Sequence, residues 1–508
     1  MKEPGRVSSY IDLFCALSAT AARLDGDKRY TSAAPAWMLM LDWVMVSVLV
    51  NRFGELREKL NIDLTEYLAP LLDALLVEQM RRGLEALETP VQFLLRCDDP
   101  DMALALAERH LERTRRRLGN AAWREDRRPQ WTWTPSRPLR IGYVCSDLTI
   151  HPVGLSIRTL LLHHDKSRFE IFLYDRTLKP DRTIAGPLSM GADVTRRCLE
   201  VSSEAMANIV QDDGIDILVD LSGAVIGSGD TVFSRLAAPA RVAMIGYPGA
   251  MGFQTVDYTV VDSGTVPAEQ RQGFSERLIV MPESFLPLDD TFTIGEEIPS
   301  RQDIGLAPDA FVMAAFNRLE KVNVETLQLW VACLKRISRA VLWMASDTAN
   351  VRETMEGFLE RAGLSSDRVV VSAKVSVLAH ARRHGLADVS LDPLGYNGGY
   401  STALALRCGV PVVSRPGRCF AWRMSVGLLH QAGLADCVVE TPGKYLAQVT
   451  RIAADPGYAD QLRGKLAPAE FARAFQTCRY VATLEHAFLE IAAQGRRGEA
   501  PSDIIMGE

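Results

Sequence analysis

The amino-acid sequence predicts an all-helical region followed by two doubly wound α/β units, and three observations lead to this fold class. The chain has 508 residues, which is too long for one hydrophobic core and indicates two or three domains. Up to about residue 120, apolar residues recur at spacings of three and four, the period of amphipathic helices. From residue 139 onwards, short apolar runs alternate with helical stretches, a pattern typical of parallel sheets with crossover helices.

The composition is that of an ordinary soluble protein and argues against several function classes. Hydrophobic residues make up 47% and charged residues 24% of the chain, which is usual for globular domains. The net charge of −6 argues against a nucleic-acid binder, since such proteins carry a basic excess. Nine dispersed cysteines without a CxxC spacing favour reduced thiols in a cytoplasmic protein over a disulfide framework or a zinc site. We therefore expect a cytoplasmic protein that has neither a metal nor a nucleic-acid partner.

Residues 1–135 are predicted to form a helical domain that ends in a linker rich in Trp, Pro and Arg. Asp99 is expected to cap one of its helices, with Pro100 at the first helical position. The most apolar stretch, Ala33–Val50, has Asp42 near its centre. Because a charge at the centre of a membrane is costly, we expect a buried helix here and no membrane span.

Residues 136–300 are predicted to form the first α/β unit. A helical stretch, Ser203–Asp212, lies between two of its strands. The predicted strands are Leu139–Cys145, Phe169–Tyr174, Ile215–Leu221, Val242–Tyr247, Tyr258–Val261 and Leu278–Met281.

Residues 301–508 are predicted to form the second α/β unit and to end in a helix, after the polar stretch Gly295–Asp309. Helices are predicted at Glu325–Arg336 and Arg423–Gln431. The predicted strands are Phe311–Phe316, Val341–Ala345, Val369–Ser372, Val389–Leu391, Val410–Val413 and Cys437–Val439. Doubly wound units bind ligands at the carboxyl ends of their strands, so we expect the site in the cleft between the two units.

A glycine turn in the second unit is the most informative motif. An apolar strand-like run passes through Asn397, Gly398 and Gly399, and the chain then enters an apolar helix at Tyr400-Ser401-Thr402. A glycine turn that opens a helix presents free backbone N–H groups and the positive end of the helix dipole, which together suit phosphate. A tight connection between a strand and a helix has the same pattern, so both interpretations stay open from this motif alone.

Two further loops carry titratable side chains at the carboxyl ends of predicted strands. His151 follows the first strand of the first unit and is either bonded to the backbone or a base or polar anchor at the cleft. Asn317, Arg318 and Lys321 follow the first strand of the second unit. The two cations are either surface charges on a loop or a phosphate clamp.

These motifs occur in an order that resembles a known family. From Leu139 to about Thr441, the chain resembles the catalytic region of the O-linked N-acetylglucosamine transferase and SPINDLY family of protein glycosyltransferases, as a bacterial member. The matching stretches are Gly142–Asp147 with His151-Pro152, Asp213–Gly223, Gly246–Gly249, Phe316-Asn317 with Lys321, Thr326–Trp330, Val341–Trp343, Leu386–Val389, Leu391-Asp392, Asn397-Gly398 and Pro416-Gly417.

The resemblance implies a GT-B fold, which is a pair of Rossmann-like domains. It also implies inverting, metal-independent transfer of a sugar from a nucleotide-sugar donor to a protein side chain. The donor it implies is UDP-N-acetylglucosamine or another UDP-hexose, and no cofactor is implied.

The resemblance also assigns roles to individual residues. His151 corresponds to the active-site histidine of the family, and Lys321 corresponds to the lysine that neutralises the departing diphosphate. Asn397, Gly398 and the turn that follows correspond to the diphosphate cradle, and His380 corresponds to a histidine that contacts the base.

The physical logic agrees with these roles. Sugar transfer builds negative charge on the leaving diphosphate, and without a metal a cation and oriented N–H donors must stabilise it. The acceptor hydroxyl must lose a proton, which His151 or Asp213 is expected to receive, directly or through water.

Three departures from the family pattern bear on the donor. Gly399-Tyr400-Ser401 stands where the family usually has His-Thr-Thr. Leu404 replaces an acidic residue that holds the ribose hydroxyls, and Val377 replaces a lysine. These departures leave open a GDP-linked or CMP-linked sugar as the donor, and also a catalytically inactive relative that acts as a binding or scaffold protein.

An acceptor protein is the partner that the resemblance implies. Family members place helical repeats before the catalytic region to hold acceptors, so residues 1–135 are expected to recognise the acceptor or to form homo-oligomers. Surface proteins such as adhesins or flagellins are candidate acceptors by this analogy.

Overall fold

The computed structural model describes residues 93–95, 98–108, 128–223, 233, 235, 237–251, 256–294, 298–348 and 351–507. Most of the helical domain predicted for residues 1–135, including Ala33–Val50, lies outside these residues. Residues 100–108 are helical, and the backbone N–H groups of Asp101 and Met102 donate to Asp99 Oδ1 at 3.0 and 3.1 Å. The predicted cap at Asp99 is therefore confirmed.

The first of two sheets has eight strands, and seven of them lie in the predicted first unit, residues 136–300. They are β1 (Leu139–Cys145), β2 (Phe169–Asp175), β3 (Val194–Arg197), β4 (Ile217–Asp220), β5 (Ala240–Ala243), β6 (Tyr258–Asp262), β7 (Arg277–Met281) and β13 (Ile504–Ile505). Their order across the sheet is β13-β7-β6-β5-β4-β1-β2-β3. Every neighbouring pair runs parallel.

The second sheet has five strands, also all parallel. They are β8 (Phe311–Ala315), β9 (Ala340–Ala345), β10 (Val369–Ser372), β11 (Val389–Leu391) and β12 (Val412–Val413), in the order β10-β9-β8-β11-β12. Two doubly wound parallel sheets are the architecture that the alternating pattern predicted, so the fold class is confirmed.

Helices connect the strands of both sheets. They are α1 (Pro152–Ile157), α2 (Arg182–Gly191), α3 (Ser203–Asp212), α4 (Val324–Arg336), α5 (Val351–Arg361), α6 (Val377–His384), α7 (Tyr400–Arg407), α8 (Met424–Gln431), α9 (Pro442–Ala454), α10 (Pro456–Lys465), α11 (Pro468–Ala474) and α12 (Thr477–Arg496). In the described part of the chain, no helix has both the length and the apolar character needed to cross a membrane.

Two predicted strands differ from the structure. β5 ends at Ala243, whereas the predicted run Val242–Tyr247 continues into a buried turn in which Ile245 has φ 71°. The prediction of a strand at Cys437–Val439 is wrong, because this segment pairs only through one bridge, between Ser414 and Val438. In both places most of the apolar residues are buried, but the ladder of strand hydrogen bonds does not extend over them.

The C-terminal part of the chain returns to the first sheet. In α12, Glu485 Oε1 lies 2.9 Å from His164 Nδ1, and His164 Nε2 lies 2.8 Å from the hydroxyl of Tyr143 in β1. After α12, β13 pairs with β7. The sequence groups residues 301–508 with the second unit, but the last strand belongs to the sheet of the first.

Candidate active site

The carboxyl edges of the two sheets lie close together, and the predicted site residues follow these edges. Leu155 of α1 and Leu404 of α7 line one pocket, which joins the loop after β1 to the turn after β11. The positive charge of Arg318, after β8, acts on His151, after β1. Sequence elements more than 160 positions apart are thereby brought to one place, as expected for doubly wound units.

Lys321 is the central cation of this place. It ends a short helical turn, Leu319–Lys321, that follows β8. Its Nζ donates to the backbone oxygen of Asn397 at 2.8 Å and lies 4.0 Å from the ring centroid of Tyr396, a cation–π distance. Burial lowers the pKa of Lys321 to about 7, with the negative charge of Asp392 opposing this effect.

Asp392 holds the turn that follows β11. Its Oδ1 accepts the backbone N–H of Gly398 at 2.7 Å, and its Oδ2 accepts the hydroxyls of Ser414 and Ser425, both at 2.6 Å. Burial raises the pKa of Asp392, although these hydrogen bonds and Lys321 oppose the shift. The sequence reasoning did not select Asp392 as a site residue, although its place directly after an apolar strand was a usable signal.

The glycine turn contains one buried side-chain oxygen without a partner and leads into a helix without a side-chain cap. Asn397 Nδ2 donates to the backbone oxygens of Pro393 and Gly395 at 3.0 and 3.3 Å, whereas its buried Oδ1 has no hydrogen-bond partner. α7 begins after Gly399 without a side-chain cap. The first N–H groups of a helix have no carbonyl partner within it, so these donors and the positive end of α7 lie close to Lys321, which suits an anionic group.

Four polar side chains line the same turn. Ser401 Oγ donates to Asn317 Oδ1 at 2.9 Å, which links α7 to the loop after β8. Thr402 Oγ1 lies 2.8 Å from Ser425 Oγ in α8. The structure thus places the predicted residues Asn317, Lys321 and 397–402 around one turn.

His151 is exposed at the start of α1 and acts as its N-cap. Its Nδ1 accepts the backbone N–H of Val153 at a long 3.4 Å. Partial desolvation lowers the pKa of His151; the charge of Arg318 adds to this effect, and the negative charge of Asp147 opposes it. The ring is therefore neutral near neutral pH.

Arg318 is exposed and forms an ion pair with Glu320 at 2.5 Å. Its positive charge also lowers the pKa of His151.

His380 belongs to an aromatic cluster around Phe316. The Phe316 ring centroid lies 4.7 Å from that of His380 and 4.8 Å from that of His384, and Arg383 Nε donates to His380 Nδ1 at 3.3 Å. Burial lowers the pKa of His380 to about 4, so its ring is neutral. Arg383 Nη2 and both ring nitrogens of His384 are buried without hydrogen-bond partners.

Asp213 does not join this site. It follows α3 and precedes β4, and its backbone oxygen accepts a hydrogen bond from Arg140 at the start of β1, at the edge of the sheet where the strands begin. Its carboxylate accepts the hydroxyl of Tyr174 at 2.7 Å and forms an ion pair with Arg196. The predicted role of Asp213 as proton acceptor is therefore corrected to a structural one.

One pocket lies between the two units. Arg407 lines it and donates to the backbone oxygens of Asp289 and Phe292 at 2.6 and 2.7 Å. The residues that line it are Leu155, Leu288, Asp289, Phe292, Tyr400, Ala403, Leu404 and Arg407. Within the described ranges, no three His, Cys, Asp or Glu side chains lie close enough together to hold a metal ion.

Comparison with known proteins relates this site to one family. The model of glycosyl transferase family 41 matches residues 94–296 and 291–484. Two curated relatives come from Arabidopsis thaliana, and both are probable UDP-N-acetylglucosamine–peptide N-acetylglucosaminyltransferases. SPINDLY is 30% identical over 397 residues, which are 75% of this chain and 43% of that protein. SEC is 27% identical over 371 residues, which are 72% of this chain and 38% of that protein.

The chain thus spans about two fifths of the length of these relatives. A solved structure of a mutant O-GlcNAc transferase from Thermobaculum terrenum superimposes with a TM-score of 0.73 at 25% identity, and the match covers 89% of this chain and 85% of that one. This likeness confirms the GT-B-type pair of units, and the family match confirms the resemblance drawn from the motifs. The chain belongs to glycosyl transferase family 41.

Proposed function

We propose that this protein transfers a sugar from a nucleotide-sugar donor, most simply a UDP-sugar such as UDP-N-acetylglucosamine, to a side chain of an acceptor protein. One observation carries the proposal: Lys321 Nζ lies 2.8 Å from the backbone oxygen of Asn397, directly beside the uncapped start of α7. A cation and free N–H donors at one point stabilise a departing diphosphate. Each such donor contributes roughly 2.7–4 kcal/mol in comparable oxyanion sites.

The proposed reaction inverts the sugar carbon and needs no metal. The acceptor hydroxyl oxygen forms the new bond to the sugar carbon while the bond to the diphosphate oxygen breaks, and Lys321 receives the charge of the leaving group. His151 is the proposed proton acceptor, because its lowered pKa keeps the ring neutral. Accepting at Nε2 requires the tautomer in which the long contact from Val153 to Nδ1 is given up.

The cluster around Phe316 is the proposed seat of the base. Two histidines and an arginine surround this ring, and Arg383 Nη2 and both nitrogens of His384 lack partners. Aromatic rings and unpaired polar atoms together suit a flat, hydrogen-bonding heterocycle. In this arrangement, residues 301–508 carry the nucleotide and residues 136–300 present His151 to the acceptor.

A donor other than a UDP-sugar is the second candidate, and Leu404 favours it. Leu404 lines the pocket beside Tyr400 and offers no hydrogen bond, so a ribose there would depend on other lining side chains, namely Tyr400, Asp289 or Arg407, or on backbone groups. A GDP-linked or CMP-linked sugar remains compatible with this pocket. An inactive scaffold relative is less well supported, because Lys321 and the glycine turn are assembled as transfer requires.

The acceptor is proposed to be a protein held by residues 1–135, with adhesins or flagellins as candidates by family analogy, or else these residues mediate homo-oligomerisation. The cytoplasm is the proposed compartment. The nine cysteines are dispersed along the chain without a CxxC spacing, which favours a reducing environment.

Calorimetric titration with UDP, GDP and CMP tests the proposal. We expect one nucleotide to bind the wild-type protein, and Lys321→Ala to weaken this binding at least about tenfold, about 1.4 kcal/mol. Lys444→Ala is the matched control, since Lys444 is an exposed lysine that pairs only with Glu440. If none of the three nucleotides binds the wild-type protein, the transferase proposal fails and a scaffold role takes its place.

A further inference from the structure

The segment that precedes the first unit is hydrogen-bonded to a loop of the second unit. Asp98 Oδ1 accepts the backbone N–H groups of Arg418 and Cys419 at 2.7 and 2.6 Å, and its Oδ2 lies 2.8 Å from the same N–H of Arg418. Trp422 Nε1 donates to the backbone oxygen of Leu94 at 2.7 Å. We call these contacts of Asp98 and Leu94 with residues 417–422 the clasp.

The clasp is tightly fitted. A Cβ atom added at Gly417 would lie 2.5 Å from Asp98 Oδ2, so the carboxylate reaches the loop only because this position is glycine. Phe93 and Leu94 are buried in the same apolar cluster as Tyr396 and Ala421. Apolar packing and charge-assisted hydrogen bonds therefore act at the same contact.

The other side of the clasped loop supports the proposed active site. The backbone oxygen of Ala421 accepts the N–H of Asn397 at 2.9 Å, and the backbone oxygen of Asn397 accepts Lys321 Nζ at 2.8 Å. The Tyr396 ring, which shares the apolar cluster with Phe93, lies under the same ammonium. A short series of direct contacts thus runs from Asp98 to Lys321.

The loop is also tied to the first unit. Arg423 Nη1 donates to the backbone oxygen of Gly417 at 2.9 Å, and its Nε donates to that of Gly264 at 3.1 Å. The clasped loop therefore lies where the preceding segment, the first unit and the glycine turn meet.

We propose that Asp98 is a positioning residue for sugar transfer, which fixes residues 417–422 so that Asn397 presents its backbone oxygen to Lys321. This inference rests on the proposed function for its catalytic meaning. Without Asp98, two backbone N–H groups lose their acceptor, and the loop samples arrangements in which Asn397 no longer meets Lys321.

Asp98→Ala tests the inference, with Asp99→Ala as matched control. Both changes remove one carboxylate from neighbouring positions, but Asp99 caps the helix 100–108 and does not touch the loop. In titrations with UDP we expect Asp98→Ala to raise Kd roughly five- to tenfold at unchanged stoichiometry, and Asp99→Ala to leave Kd unchanged. A purely structural role would lower the stoichiometry, through loss of folded protein, and leave Kd as it was.

Hydrogen exchange gives a second readout that does not depend on nucleotide. We expect the amide of Asn397 to exchange faster in Asp98→Ala than in the wild-type protein or in Asp99→Ala. Asp98→Asn keeps one acceptor oxygen, so the amide of Asn397 should keep much of its protection from exchange in this variant. That result would show that faster exchange in Asp98→Ala comes from the lost acceptor and not from a folding defect. Unchanged exchange and unchanged Kd in Asp98→Ala would overturn the inference while the proposed function stands. If UDP does not bind the wild-type protein, the UDP proposal fails, and exchange at Asn397 alone decides whether the clasp positions the turn.

Discussion

At the scale of single residues, Lys321 makes the site sensitive to pH. Burial lowers its pKa to about 7, so the ammonium is lost as the pH rises through about 7, well below the range of an exposed lysine. Asp392, whose pKa burial raises, becomes fully anionic as the pH rises and acts in the same direction. We therefore expect the affinity for UDP-N-acetylglucosamine, whose phosphates stay ionised, to fall from about pH 6 to about pH 8.

Calorimetry at several pH values measures this dependence. Lys321→Arg keeps a positive charge at every pH in this range, so most of the fall in affinity should disappear in that variant. An affinity of the wild-type protein that stays constant or rises with pH would contradict the assignment of Lys321 as the diphosphate cation.

The individual site residues differ in how far sequence could predict them. His151, Lys321 and the turn 397–402 stand in motifs with a recognisable order. The hydrogen bonds of Asp392 reach serines 22 and 33 positions away, and the clasp joins residues 320 positions apart. Local patterns carry no signal for such pairs, and for the same reason the motif around Asp213 did not reveal its partners Tyr174 and Arg196.

At the scale of elements, α8 connects the glycine turn to the first unit. Its Ser425 holds Asp392, and two residues later Gly427 lies against Asp262, the last residue of β6. A Cβ atom added at Gly427 would lie 2.5 Å from Asp262 Oδ2, and the buried carboxylate has little room to move. Gly427→Ala should therefore push α8 away from the first unit, at a cost of about 1–3 kcal/mol in the free energy of unfolding.

Denaturant unfolding and nucleotide titration measure this effect together. We expect Gly427→Ala to lower both the stability and the affinity for the nucleotide, because α8 also supports the turn. Gly464→Ala in α10 is the control, since a Cβ atom at Gly464 meets no atom within 4 Å and alanine favours a helix. Equal stability of Gly427→Ala and wild type would mean that the two units are not in contact through α8.

The predicted boundaries of helices and strands are accurate where the sequence pattern is strong. β1 and α3 have the predicted bounds, because a buried parallel strand and a capped amphipathic helix give clear periods. β3 was not predicted, since most of its residues are exposed and two of its four are arginine. β13 has only two residues, which is too short for any period to appear.

At the scale of the whole molecule, the end of the chain closes the first unit. α12 follows the second unit in sequence, yet Glu485 Oε1 accepts from His164 Nδ1 at 2.9 Å and from the backbone N–H of Asp165 at 2.8 Å. Tyr480 donates to the backbone oxygen of Phe285 at 2.7 Å. The first unit is therefore complete only when residues beyond the second unit have folded back onto it, which makes the folding of the two units interdependent.

Glu485→Ala tests this interdependence. It leaves the N–H of Asp165 and Nδ1 of the buried His164 without their acceptor, so we expect the free energy of unfolding to fall by about 1–3 kcal/mol. Because α12 follows the second unit and packs on the first, the loss should appear as a lower midpoint of one shared transition, followed by tryptophan fluorescence in denaturant. Glu490→Ala, on the same helix but half exposed, loses an ion pair with Arg497 and a long hydrogen bond from Gln494, and should change stability by less than about 1 kcal/mol. Two separated transitions in the wild-type protein, or equal effects of the two variants, would contradict this expectation. They would mean that α12 contacts the first unit but does not couple the folding of the two units.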